Sequence, residues 1–485
     1  MEIIVKESMD LLIMDTLIYN KILAIEEQID ALYKNFNQLL LKTYPGHEIQ
    51  NMIYEVREIC KSYKHRLNEY KQSNNINFNE FMIFCRLFME FYSRVECILN
   101  CNTKNHPTEI MIPIKEILSH FSTKSVFITE PRWEINFAVG KIFDRDFKDT
   151  LIQSNININS NLDIILLRFP RIHQENILLG GIMAHELGHY FDIHYGLDIT
   201  EKIIPKIIQE IDINRYVPLY QTVNQNQTFI KDELKALLPN VVMRKWIKEL
   251  VADIIGIMLY GLSSYFAAEQ LILYLSDIQM INEHVLKDRF SITHPRNLLR
   301  NTVKKMALEK LDYYVYLKED VIECINRYSV EWEKANVEIF RPIAFYNNGS
   351  RLIIDSQYLN LLEEDLESRL DMIFEMTLSE ISSLPYDIIY KPQLLKDEVV
   401  PLVDKIVKLI PPNEIDGNPV QSVSIINAGW IAYLLHNEEI KEKWSNSTGE
   451  CDENLTRKVL DNLLKKATVS ANVHRRWRDA SQQQG

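Results

Sequence analysis

The chain has 485 residues, 46% of them hydrophobic, enough to bury a large core and form two or three domains, which excludes a disordered tail or a small stapled module. Its 54 basic and 67 acidic residues leave a formal net charge of -13, which argues against a general affinity for nucleic acid or an anionic membrane and for neutral or basic partners. The six cysteines (Cys60, Cys85, Cys97, Cys101, Cys324, Cys451) form no CxxC pair, and no secretory signal is read ahead of the first helical stretch, so a reducing cytoplasm is expected.

From Met9 to Asn100 apolar residues recur at three- and four-residue spacing, as in "LIYNKILAIEEQIDALYKNFNQLLL". The turn-forming "TYPGH" (43–47) and "QSNNINFN" (72–79) divide this stretch into about three helices with a packing role. Cys97 and Cys101 share a helix face, where packing explains them better than a metal does. "SVFITE" (125–130), "WEINFAVGKIF" (133–143) and "LDIILLRF" (162–169) are rich in Ile, Val and Phe and predict a small sheet beside the candidate site.

Helices are predicted over 173–195, 199–213, 240–262, 264–283, about 295–341 and 357–383. Pro385, Pro392, Pro401, Pro411 and Pro412 mark an irregular connection before two more, near 424–442 and 453–479. The most apolar run, "IIGIMLYGLSSYFAA" (254–268), falls short of the roughly 20 residues that a bilayer span needs; it reads as buried core, and the protein as soluble. The closing "HRRWRDASQQQG" reads as a solvated, fraying end. The fold class is therefore mainly α with a small β-sheet (α+β), in three parts: an N-terminal helical region (1–123), a core (124–345) and a C-terminal helical region packing on that core (346–485).

Chemistry concentrates in "GGIMAHELGHYFDIHYG" (180–196). His185 and His189 lie one helical turn apart, so both imidazoles project from one face and can meet a single ion, while Glu186 sits next in sequence, rotated to the side, where its carboxylate could hold a water bound to that ion. Gly188 costs helix propensity, about 1 kcal/mol against alanine, which predicts close packing at that position. A catalytic zinc needs a third ligand and one open position. His194 has turned to another face, and the stronger candidate is Glu249 in "WIKELVADIIGIMLYG" (246–261), four residues before Asp253 on an otherwise apolar helix. Buried acids need partners, and a zinc ion bound by Glu249, with Asp253 accepting from a ligand histidine, would supply them. The competing expectation is a pair of surface salt bridges to Lys245 or Lys248. In "ITHPRNLLRN" (292–301), His294 opens a predicted helix with Pro295 at its first position, and His294 or Arg300 could donate to an oxyanion.

"HELGH", "ELVAD" and "THPRNLLR", in that order, resemble the gluzincin metallopeptidases of the branch related to the CAAX prenyl proteases and the membrane heat-shock proteases. The resemblance spans 180 to 300 and implies a zincin-like core holding one Zn2+ per chain. It implies His185, His189 and Glu249 as ligands, Glu186 as general base, Asp253 as the residue orienting a ligand, and His294 and Arg300 as transition-state stabilisers. That branch commonly carries membrane-spanning helices and none is read here, so the resemblance bears on the chemistry rather than on a prenylated or membrane substrate. The expectation is a soluble zinc-dependent endopeptidase acting on a protein or peptide. Its rival is a catalytically silent, zinc-stabilised interaction module (a pseudoprotease), and either version is open to an activating or inhibitory protein partner.

Overall fold

The computed structural model describes residues 2–44, 47–73, 76–100, 108–119, 121, 125–133, 137–159, 161–174, 176–219, 242–281, 294–334, 343–347, 350–354, 356–448 and 453–482. It divides into two compact units, the first of residues 1–106 and 122–171, the second of 107–121 and 172–485. Mainly helical structure with small sheets, as expected, describes both.

In the first unit the helical spacing produces α1 (Glu2–Leu40), α2 (His47–Gln72) and α3 (Phe78–Asn100), the three helices predicted. Their apolar faces meet around Tyr63, whose ring lies 5.1–5.7 Å from those of Phe84, Phe88 and Phe91 and whose hydroxyl donates to the Leu87 carbonyl at 3.1 Å. Buried Cys60, Cys85 and Cys97 belong to this core, as packing predicts; Cys101 lies outside the described residues. The predicted strands form one sheet of order β1-β3-β2: β1 (Val126–Arg132) runs parallel to β3 (Ile164–Pro170) with Val126 opposite Ile164, and β2 (Ala138–Lys141) runs antiparallel with Ala138 opposite Arg168. Arg94 of α3 fastens the sheet by donating to the Ile142 carbonyl and Asp144 carboxylate at 2.9 and 2.8 Å, and Asp144 caps the short helix after β2, Arg145–Gln153 (α5). This sheet groups with the N-terminal helices, whereas every candidate site residue lies in the second unit.

The second unit holds α4 (Thr108–Ser119), α6 (Met183–His189), α7 (Ile199–Glu210), α8 (Arg244–Tyr260), α9 (Leu262–Ile281), α10 (Asn297–Lys310), α11 (Tyr313–Tyr316) and α12 (Glu319–Lys334). A hairpin, β4 (Ile343–Asn347) with β5 (Ser350–Ile354), leads to α13 (Ser356–Glu367), α14 (Leu370–Ser382), α15 (Val400–Val407), α16 (Ser422–Leu435), α17 (Asn437–Thr448) and α18 (Glu453–Gln482). Its axis is α8, buried continuously from Leu250 to Tyr260. The apolar run 254–268 is buried core that spans the junction of two helices, where the predicted helices 240–262 and 264–283 also divide: Gly261, at φ +58°, turns the chain from α8 into α9, and a β-carbon there would sit 2.9 Å from the Tyr313 ring. The predicted helix 173–195 is also subdivided, into a 3-10 turn (Leu179–Ile182), α6 and a π turn (Tyr190–His194). The ends of the helices predicted at 240–262, 264–283 and about 295–341 fall outside the described residues at 240–241, 282–283 and 335–341. Among the described residues no helix is long and apolar enough to cross a membrane.

Candidate metal centre

Two glycines let α6 and α8 meet closely, and a third does the same for the 3-10 turn before α6 and α9. A β-carbon on Gly188 would lie 2.7 Å from the Ala252 Cα, one on Gly256 would lie 2.7 Å from the Ser264 hydroxyl and 3.2 Å from the His185 amide nitrogen, and one on Gly181 would lie 2.4 Å from the Ser263 carbonyl oxygen. Backbone therefore touches backbone at this crossing, which is the close packing that Gly188 predicts. His185 and His189 on α6 consequently face Glu249 and Asp253 on α8.

One ligand atom from each of His185, His189 and Glu249 lies within 4.8 Å of the other two, and these residues could hold a metal ion. The His185 Nε2 to Glu249 Oε2 distance is 3.3 Å and the His189 Nε2 to Glu249 Oε1 distance is 3.4 Å. Such spacings are long for hydrogen bonds of nitrogen to oxygen, which cluster near 2.9 Å. The two histidines reach different oxygens of Glu249, so its carboxylate faces both imidazoles, and two imidazoles with one carboxylate are a donor set of the kind that zinc accepts. The cluster does not include His194, whose ring lies 6.3 Å from that of Tyr190.

Asp253, 2% exposed, sits behind the cluster: its Oδ1 lies 2.8 Å from His185 Nδ1, which leaves Nε2 turned toward Glu249. Arg300 grips the same carboxylate with two nitrogens, Nε to Oδ2 at 2.7 Å and Nη2 to Oδ1 at 2.8 Å, and its Nη2 stands 3.7 Å from Glu249 Oε2. The acids thus pair inside the protein with His185, His189 and Arg300 rather than with Lys245 or Lys248. Arg300, expected as an oxyanion donor, has Asp253 as its bidentate partner. Glu186 lies buried between the two histidines in sequence, at 9% exposure. His294 Nε2 reaches to 3.5 Å from Glu249 Oε2 with its ring partly exposed. Pro295 does not take the first helical position, because α10 starts at Asn297 with Arg296 as its N-cap.

The electrostatics favour positive charge between the ligands. Burial alone would lower the pKa of His185, but the Asp253 and Glu249 carboxylates overcome it and raise the group to about 9. Burial pushes Glu249 up, yet His189 and His185 hold its carboxyl well below the ordinary range. Burial opposes ionisation of Asp253 too, and Arg300 with His185 keeps it ionised. A divalent cation would take the place of the proton that these carboxylates attract. Burial pushes His294 down to about 4, leaving a neutral imidazole at neutral pH.

Several supporting residues escaped the sequence reading. Glu363 of α13, 3% exposed, accepts from the Arg296 amide at 3.2 Å and forms an ion pair with the Arg296 guanidinium. Lys304 and Glu269 form an ion pair at 2.5 Å between α10 and α9, each side chain 1% exposed. Asn301 donates to the Tyr265 hydroxyl at 2.9 Å, which fixes the same face of α10. An acid within "LLEEDLE" or a lysine within "VKKMALEK" carries no local mark of burial; only the packing selects it.

No family model matches the chain, and neither a curated protein nor a solved structure matches it.

Proposed function

We propose that the protein is a zinc-dependent endopeptidase of gluzincin type, with a zincin-like core, that hydrolyses peptide bonds in a protein or peptide substrate. The observation that carries this reading is the convergence of His185, His189 and Glu249, one ligand atom of each within 4.8 Å of the other two, with Asp253 Oδ1 2.8 Å from His185 Nδ1 and Glu186 on the same short helix as the histidines. A bound zinc would supply Lewis acidity, polarising a carbonyl and making water acidic enough to act near neutral pH. Glu186 accepts a proton from the attacking water on a carboxylate oxygen and delivers it to the leaving amine nitrogen. His294, neutral and partly exposed, donates from its imidazole to the oxygen that gains charge as the carbonyl becomes tetrahedral. Arg300 keeps Asp253 ionised and aligned, and through it His185. Cytoplasmic residence belongs to the same proposal and is supported by the free thiols Cys60, Cys85, Cys97 and Cys324.

The test is the Glu186→Gln variant of the full chain assayed on peptide libraries beside the wild type. Retention of zinc with hydrolysis reduced by about 10²–10⁴-fold is the expected result for loss of a general base. Undiminished hydrolysis would remove Glu186 from the mechanism, and zinc binding without hydrolysis in the wild type would favour the silent interaction module.

A further inference from the structure

His294 approaches Glu249 from a different element than the metal ligands do, so something must hold it there. It precedes Pro295, which disfavours the helical region for His294, and the proline ring locks its own φ near −65°. Few soft torsions therefore separate the His294 imidazole from the amide of Arg296. That amide is the place where the segment is fastened, because Glu363 Oε1 accepts its N–H at 3.2 Å while Oε2 takes the Arg296 guanidinium. Arg296 is in turn the N-cap of α10, and its carbonyl accepts the Arg300 amide at 3.2 Å. One residue thus joins His294 to the helix carrying Arg300, and one buried carboxylate holds that residue.

Glu363 is built as a rigid post. Leu359, Leu362 and Leu366, each 0% exposed, anchor α13 on both sides of it. Burial raises the pKa of the Glu363 carboxyl, and the facing guanidinium works against that rise. A negative charge at the N-terminus of α10 also complements the helix dipole, where the Arg296 side chain supplies no cap of its own. The helices that carry the metal ligands have a separate lock, since α6 and α8 meet backbone to backbone at Gly188 and Gly256.

We propose that Glu363 is the positioning residue for His294: through Arg296 it fixes the His-Pro segment so that the imidazole is held beside Glu249, coupling α13 to turnover without touching the metal ligands. The proposal rests on the hydrolytic reading of the site, and it divides the machinery into a metal-holding half and a substrate-polarising half that separate substitutions can address.

The experiment uses full-length, zinc-loaded protein in four forms: wild type, Glu363→Gln, His294→Ala and the double variant. Zinc content, kcat and KM on a fluorogenic peptide, and the rate of His294 modification by diethyl pyrocarbonate are measured on each form that retains His294, and all but the last on the others. Glu363→Gln is expected to keep its zinc and KM, to lose roughly ten- to a hundredfold in kcat, as a small displacement of a reacting group does, and to expose His294 to several times faster modification. In the His294→Ala background the same substitution is expected to cost nothing further, because residues acting as one unit are non-additive. An unchanged kcat, or an equal loss with and without His294, overturns the proposal. Should Glu363→Gln not fold, Arg296→Met at the partly exposed end of the pair must reproduce the signature. If no form cleaves peptide, the hydrolytic reading fails, and the modification rate alone decides whether Glu363 positions His294: faster supports it, unchanged refutes it.

Discussion

A carboxylate with 2% of its surface exposed needs partners on both oxygens, and Asp253 has them in His185 Nδ1 and the bidentate Arg300. Replacing it by asparagine keeps the shape but removes the charge that orients His185 and compensates Arg300. Metal affinity is expected to fall by about 10–100-fold in Asp253→Asn, as losses of residues that orient ligands do, measured by competition with a chromogenic chelator. The buried Arg300 charge left without its carboxylate is expected to cost about 3–5 kcal/mol in a denaturant titration. An affinity equal to that of the wild type would mean that Asp253 serves the fold alone. Asp253 and Glu249 were legible in the sequence because two acids four apart on an apolar helix demand a reason. Arg300's partner was not, since its distance from Asp253 along the chain says nothing about which charge it meets.

Elements carry the site by the way they cross. At Gly188 an added methyl would strike the Ala252 backbone at 2.7 Å, and backbone cannot rotate aside as a side chain would. Gly188→Ala is therefore expected to destabilise by about 1–3 kcal/mol, outweighing the ~1 kcal/mol of helix propensity that alanine gains, and to weaken metal binding by separating the ligand helices. Gly140→Ala is the control: its β-carbon would meet nothing within 4 Å, and thermal unfolding should barely change. Helices were legible from three- and four-residue periodicity, and the sheet from its Ile, Val and Phe content. The hairpin β4–β5 was overlooked although "FYNNGSRL" carries an Asn-Gly pair between strand-like runs, a local signal that the long helical reading before it obscured. The subdivision of 173–195 had no comparable signal: the π turn after α6 closes through the Tyr195 amide on the Tyr190 carbonyl at 2.8 Å, and only tertiary packing selects that register.

At the scale of the whole molecule, the site residues all belong to the second unit, while the first has its own aromatic core and sheet. Ligands that bind only the folded form stabilise the part of the chain that holds them. Calorimetry should therefore resolve unfolding into two transitions, of which chelation lowers one, and His185→Ala should abolish that sensitivity. A single transition, or two that shift equally with chelator, would show that the units do not unfold independently. The central claim, that His185, His189 and Glu249 form one metal centre, is tested most directly by elemental analysis of purified full-length wild-type protein beside Glu249→Ala. Close to one zinc per wild-type chain, lost in the variant, is the predicted result; a wild-type content near zero for zinc and every other transition metal, after handling without chelators, would contradict it.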